Sequence, residues 1–150
     1  MKASSDAYNM IRFFEGKTNK AYQDTAGVWT IGYGHTAGVK AGATATDAEI
    51  EQWLADDVAT AEKVVNAQEL ALNQSQFDAL VDFVFNVGGG NFQKSTLLKK
   101  IKNDPTDSAI YDEFLRWVFA EKQKLVGLVR RRTEEANLYF SEIQVKKKLN

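Results

Sequence analysis

A chain of 150 residues with 44% hydrophobic content can bury a core of its own, and suits one compact unit or two tightly joined lobes. It has no cysteine, which excludes disulfides and thiolate-bound metals. Its single histidine would leave a zinc-type hydrolytic centre almost wholly to carboxylates, so neither metal nor cofactor is expected. With 19 Lys or Arg against 20 Asp or Glu the net charge is −1, and no repeat or low-complexity tract is present.

The first residues, Met1 to Asp6, contain no apolar run, so neither a cleavable signal nor a membrane anchor is expected. From Ser5 to Glu15 the apolar residues Ala7, Met10, Ile11 and Phe14 recur at helical spacing. Ser4 or Ser5 supplies an N-cap, and Gly16 follows the end. Glu15 therefore falls in the last helical turn. There the negative end of the helix dipole and the neighbouring Phe13 and Phe14 favour the protonated carboxyl, which suits a general acid.

Asp24 follows Ala21-Tyr22-Gln23, where Thr25-Ala26-Gly27 reads as a turn and Val28 to Tyr33 as the returning strand. Near a turn it stays hydrated and ionised. Two carboxyls whose environments push their pKa values apart are the signature of an acid and a base working on one bond. Glycoside hydrolysis needs such a pair, because the leaving oxygen takes a proton while a carboxylate activates water or stabilises the oxocarbenium-like centre. Thr30 offers a hydroxyl to position that water.

Along this strand Trp29, Ile31, Tyr33 and His35 alternate with Val28, Thr30, Gly32 and Gly34, so Thr30 is expected to point away from the Trp29 and Ile31 face. The glycines either leave room for a ligand at the backbone or mark a bend. His35 reads as structural, holding the hairpin to the first helix.

Thr46-Asp47-Ala48-Glu49 is a capping-box pattern, and Ala48, Trp53, Leu54, Val58, Ala61, Val64 and Val65 form an apolar stripe to about Ala67. Glu49, Glu51, Asp56, Asp57 and Glu62 read as its solvated face. Asn73 and Gln76 open the most apolar helix, with Phe77, Leu80, Val81, Val84 and Phe85 at intervals of three and four and Gly88-Gly89-Gly90 as its stop. Ser95 caps a short helix through Lys102. After the turn at Asn103-Asp104-Pro105-Thr106, Thr106 or Asp107 caps a helix buried through Ile110, Phe114, Trp117 and Val118.

Residues 121–150 hold eight Lys or Arg against four Glu, about +4, while the remainder holds eleven against sixteen, about −5. Arg130-Arg131-Arg132 invites a nucleic-acid reading. Three consecutive helical residues fan over roughly 200 to 300 degrees, however, and Glu134 and Glu135 blunt their field, so no nucleic-acid partner is expected.

The spacing of Glu15, Asp24 and Thr30, followed by Ile31-Gly32-Tyr33-Gly34-His35-Thr36, resembles the catalytic signature of the phage-type lysozymes, the endolysin muramidases. Phe85-Asn86-Val87-Gly88 with Ser95-Thr96-Leu97-Leu98, and then Gly127 to Arg132 with Glu135, Leu138 and Tyr139, are similar to two further signatures of that family. The resemblance covers roughly residues 8 to 140 and implies an α+β, mainly α, lysozyme-like fold. Lobe 1 is expected at about 1–45 with a hairpin, the connecting helix at about 46–67, the helical lobe 2 at about 68–140 and a basic tail at 141–150.

It implies hydrolysis of the β-1,4 bond between N-acetylmuramic acid and N-acetylglucosamine with inversion. Glu15 would be the acid, Asp24 the base or electrostatic stabiliser, and Thr30 the water-positioning residue. Phe85, Asn86, Gly32 and Tyr33 would meet substrate, with His35 and Arg131 in support. Arg131, with Arg130 as the alternative, would pair with Glu15 and oppose the helix-end effect on its proton. The implied partner is peptidoglycan, and the implied setting is a monomer held in the host cytoplasm until a holin-type factor releases it to the cell wall. Relatives show glycines after the tryptophan matching Trp117, whereas here Ala120-Glu121-Lys122-Gln123-Lys124 follows. A lytic transglycosylase, which needs only the acid, and a non-catalytic wall-binding module remain as alternatives; neither has a use for all three of Glu15, Asp24 and Thr30.

Overall fold

The structure, a computed structural model, describes the backbone of residues 1–120 and 123–149 and the side chains of residues 1–119 and 125–143. Local signals set the first elements. In α1 (Ser5–Glu15) the Ser4 hydroxyl accepts from the Asp6 N–H, and Gly16, at φ +68°, ends the helix directly after Glu15. Strands β1 (Thr18–Gln23) and β2 (Trp29–Gly32) pair antiparallel, with Tyr22 opposite Thr30 and an irregularity between Thr18 and Tyr22. Thr30, Ile31 and Gly32 are all buried, so the predicted alternation of faces is lost once the strand turns under its neighbours at Gly32.

The predicted capping box forms, and a second one opens the helix expected at Asn73. Thr46 and Glu49 open α2 (Asp47–Asn66), and Asn73 and Gln76 open α3 (Gln74–Val87), each pair exchanging side-chain to backbone hydrogen bonds. Helix α3 is the centre of the core. Phe77, Leu80, Val81, Phe83 and Val84 are buried against Leu54, Val58, Ala61 and Val65 of α2, against Ile11 of α1, and against Ala136, Tyr139 and Phe140 of α7 (Val126–Leu149). Each such side chain contributes about 1.5 to 3 kcal/mol by leaving water.

The glycine triplet does more than stop α3. Gly88, at φ +92°, breaks the helix, and the chain re-forms at once as α4 (Gly89–Lys94), where a Cβ on Gly89 would stand 3.0 Å from Val64. Ser95 caps α5 (Thr96–Asn103) as expected, its Oγ accepting from the Leu98 N–H. Helix α6 (Ile110–Phe114) is shorter than its apolar spacing predicts: Trp117 and Val118 lie beyond it, before β3 (Phe119–Ala120) and β4 (Gln123–Lys124). Residues 121 and 122 of the departing segment lie outside the described residues. The backbone of α7 continues unbroken across the expected start of the basic tail at 141.

Two of the acidic residues expected on a solvated face of α2 are structural. Glu62 is buried and accepts the Ala3 N–H at 2.6 Å, and Asp57 lies 2.7 Å from His35 Nδ1. Glu49 serves the cap and Glu51 pairs with Arg12 at 2.9 Å. No helix among the described residues is long and apolar enough to cross a membrane.

Candidate active site

Glu15 owes its position to three elements. It is the last residue of α1, its Oε1 accepts from Arg131 Nη1 of α7 at 2.9 Å, and its Oε2 lies against Gly34. A Cβ on Gly34 would stand 2.6 Å from that oxygen, and the Gly34 φ of +74° also disfavours any side chain, so only glycine lets the hairpin approach so closely. The carboxyl is mostly covered, with its side chain 19% exposed.

Asp24 sits in the predicted turn and is exposed. Its Oδ1 accepts the N–H groups of Ala26 and Val28, both at 2.9 Å, while its own N–H donates to the Val28 carbonyl. Its Oδ2 takes part in no hydrogen bond among the described residues. Thr30 is tied to the same residue, donating its hydroxyl to the Val28 carbonyl at 3.0 Å. With its hydrogen so committed, Thr30 Oγ1 keeps a lone pair with which to accept from water. Tyr22 stands across the strand pair from Thr30, and burial, then the charges of Glu15 and Asp24, push its phenol above the ordinary range.

The remaining predicted residues divide. The space beside Gly32 is filled by Ile50 of α2, 3.1 Å from where a Cβ would be, and its φ is +65°, so this glycine marks a bend packed on protein rather than open backbone. Tyr33 is half-buried against the core. His35 is held to α2, and not to the first helix: its ring stacks on Trp53 at 4.8 Å, and Nδ1 donates to Asp57 at 2.7 Å. Phe85 lines a groove of about 250 Å³ between the hairpin end, at Gly34, Thr36 and Ala37, and the α2 and α3 residues Asp57, Thr60, Val64 and Gly88. Glu15 and Asp24 do not line this groove, and Gly34 is where it adjoins Glu15. Asn86 opens instead on a second depression with Trp117 and Leu128, and its side-chain oxygen accepts from Arg132.

The family is decided by comparison. The profile described as Phage lysozyme matches residues 12–135. The endolysin of Acyrthosiphon pisum secondary endosymbiont phage 1 is 38% identical over 146 residues, covering 94% of this chain and 99% of that protein. Among solved structures, the endolysin from Escherichia coli O157:H7 phage FAHEc1 superposes with a TM-score of 0.82 at 34% identity, covering 95% of each chain. The muramidase domain of SpmX from Asticaccaulis excentricus gives 0.82 at 33% identity, covering 92% of this chain and 97% of that one.

The chain belongs to the phage lysozyme family. It is accordingly a glycoside hydrolase that degrades peptidoglycan.

Behind the carboxyl of this lysozyme lies a charge cluster in which the sequence pointed to Arg131 but not to its pairing with Asp82. Arg131 grips Asp82 of α3 in a bidentate pair, Nε to Oδ2 at 3.0 Å and Nη2 to Oδ1 at 2.9 Å, and its guanidinium lies over Phe14, 5.5 Å from the ring centroid. Arg132 donates to Glu135 at 2.6 Å and to the Trp117 carbonyl at 3.1 Å. Asp82, Arg132 and Glu135 are completely buried. Burial opposes the charge on Asp82, but hydrogen bonding with Glu135 and the charge of Arg131 hold its carboxyl below the usual range. Burial opposes the Arg131 cation too, yet Asp82, then Glu15 and Glu135, raise its pKa above the ordinary value.

Glu135 Oε2 meets no donor among the described residues. Burial, then the neighbouring Asp82, pushes its carboxyl well above the usual range. The one available signal was Asp82 itself, a lone acid inside Ala79-Leu80-Val81-Asp82-Phe83-Val84-Phe85, since an acid in so apolar a run needs a partner. Only Arg130 of the basic triplet faces solvent, stacked 4.7 Å over Phe13 and paired with Glu134 at 3.4 Å.

Proposed function

We propose that this lysozyme hydrolyses the β-1,4 bond between N-acetylmuramic acid and N-acetylglucosamine with inversion at the anomeric carbon. The observation that carries this reading is the division of labour within the Glu15 carboxyl. Oε1 is occupied by Arg131, which leaves Oε2, against Gly34 beside the groove, as the oxygen that holds the proton of the acid form. A general acid so oriented protonates the leaving glycosidic oxygen. Asp24, with Oδ2 unengaged among the described residues, takes a proton from water on the opposite face of the sugar, and Thr30 Oγ1 orients that water. Inverting enzymes separate their two carboxyls by about 6.5 to 9.5 Å to admit the water. Phe85 supplies an apolar wall for the glycan. We further propose, from the family alone, a monomer held in the host cytoplasm until a holin-type factor gives it access to the wall.

Inversion is tested by proton NMR of a soluble peptidoglycan glycan during the first minutes of digestion. The new reducing end is expected as the α anomer, equilibrating afterwards. A first product in the β configuration would remove Asp24 from the role of base.

The close approach of Gly34 yields a second expectation. Gly34→Ala is expected to cost about 1 to 2 kcal/mol of stability through its left-handed backbone. Activity is expected to fall by roughly tenfold to a hundredfold, because the new methyl displaces Glu15 Oε2 by about 1 Å. Thermal melts and initial rates on the same preparation separate these effects, and equal fractional losses of both would contradict the close approach.

A further inference from the structure

Glu15 needs its Oε2 aimed at the leaving oxygen, and the cation that holds the other oxygen is Arg131. A free arginine has several rotamers and spreads its five donors among whatever acceptors are near. Here two of its three nitrogens are taken, Nε and Nη2, by the two oxygens of one carboxylate that itself has no exposed surface. A bidentate fork fixes the guanidinium plane and leaves Nη1 a single direction, which is towards Glu15. The Phe14 ring below the plane removes the remaining tilt.

We infer that Asp82 is a positioning residue for the hydrolytic reaction: it aims Arg131 at Glu15 and neutralises part of that cation's charge, so that the arginine orients the acid without stripping its proton. This inference rests on the reading of Glu15 as the general acid. The charge balance of the cluster supports it. Arg131 faces Glu15 from α1, Asp82 from α3, and Glu135 and Arg132 from its own helix, while Tyr22 of β1 feels the charge of Glu15. The cations Arg131 and Arg132 face the carboxyls of Asp82 and Glu135 on the inner side and Glu15 on the outer. Removing the Asp82 charge makes the cluster one unit more positive on the inner side of the acid.

Asp82→Asn keeps the volume but removes the charge and turns one oxygen into a donor facing a donor. On soluble peptidoglycan strands its kcat is expected to fall by roughly tenfold to a hundredfold while KM stays within about threefold, as for an interaction realised in the transition state. The alkaline limb of its kcat profile is expected to move to lower pH by about one unit, because the uncompensated arginine favours the ionised acid. A residue that merely supports the fold would leave that limb in place.

Should Asp82→Asn fail to melt cooperatively, Asp82→Glu decides, since it keeps the charge and displaces the fork by one methylene. Its kcat is expected to fall with KM and the pH profile retained. Wild-type kcat and an unmoved profile in the folded variant would overturn the proposal while leaving Glu15 as the acid, provided Glu15→Gln is inactive. Undiminished cleavage by Glu15→Gln would overturn both.

Discussion

Replacing Arg131 with Met is expected to be the most destabilising single change at this site, lowering the melting temperature by roughly 6 to 20 °C for a chain of this size. The expectation does not rest on the pair being strongly stabilising, because buried ion pairs often contribute little net energy. It rests on what is left behind. Asp82 has no exposed surface, and without the guanidinium it loses the two hydrogen bonds that its oxygens accept from Arg131. An uncompensated buried charge costs about 3 to 5 kcal/mol.

The pH dependence has a definite sign. Asp82 has a folded pKa below its unfolded value, so its contribution to stability is present above about pH 4 and is lost as pH falls through the folded value. In the variant that depression is gone, and protonating Asp82 removes the uncompensated charge. The difference in stability between wild type and variant should therefore shrink as pH falls below about 4. Melting curves at several pH values measure it, and a gap that stayed constant down to pH 3 would mean that Asp82 is not the group left unpaired.

Glu15→Gln has the largest expected effect on activity. Losing a general acid typically costs a hundred- to ten-thousandfold in rate, and Gln has no proton acidic enough to assist the leaving oxygen. Stability should change by no more than about 1 kcal/mol, because the Gln side-chain oxygen still accepts from Arg131 Nη1 at the edge of the cluster. Binding of glycan strands should survive, since the walls of the groove are Phe85, Thr36, Thr60 and their neighbours rather than Glu15. The variant is thus a folded, binding-competent and inactive protein, and a loss of activity that followed a loss of structure would not support the assignment.

Much of this site was legible in the sequence because its signals are local. A helix cap, a terminal glycine and a turn each act within a few residues. That is why the end of α1 at Glu15, the Asp24 turn, the capping box at Thr46 and the helix start at Asn73 follow from spacing. The family signature then linked them and pointed to Arg131, which the structure places 2.9 Å from Glu15. What could not be read was pairing over distance. Asp82 and Arg131 are 49 positions apart, and nothing in either neighbourhood names the other.

His35 illustrates the same limit. Its position in the hairpin is evident, but the choice between α1 and α2 as its partner depends on where the chain returns, and Trp53 with Asp57 decides it. Phe85 and Asn86 show a second limit. Adjacent residues on a helix diverge by about 100 degrees, so one lines the groove beside Gly34 while the other faces Trp117 and Leu128. The early end of α6 and the immediate restart at α4 reflect tertiary packing overriding local periodicity.

The most direct test of the account is the chemistry of the new glycan ends. Purified peptidoglycan would be digested in parallel with the wild type and with Glu15→Gln, and the fragments separated and identified by mass before and after borohydride reduction. Reducible N-acetylmuramic acid ends are expected from the wild type and none above background from the variant. Anhydro ends, reducible N-acetylglucosamine ends, or equal release by the two proteins would contradict it.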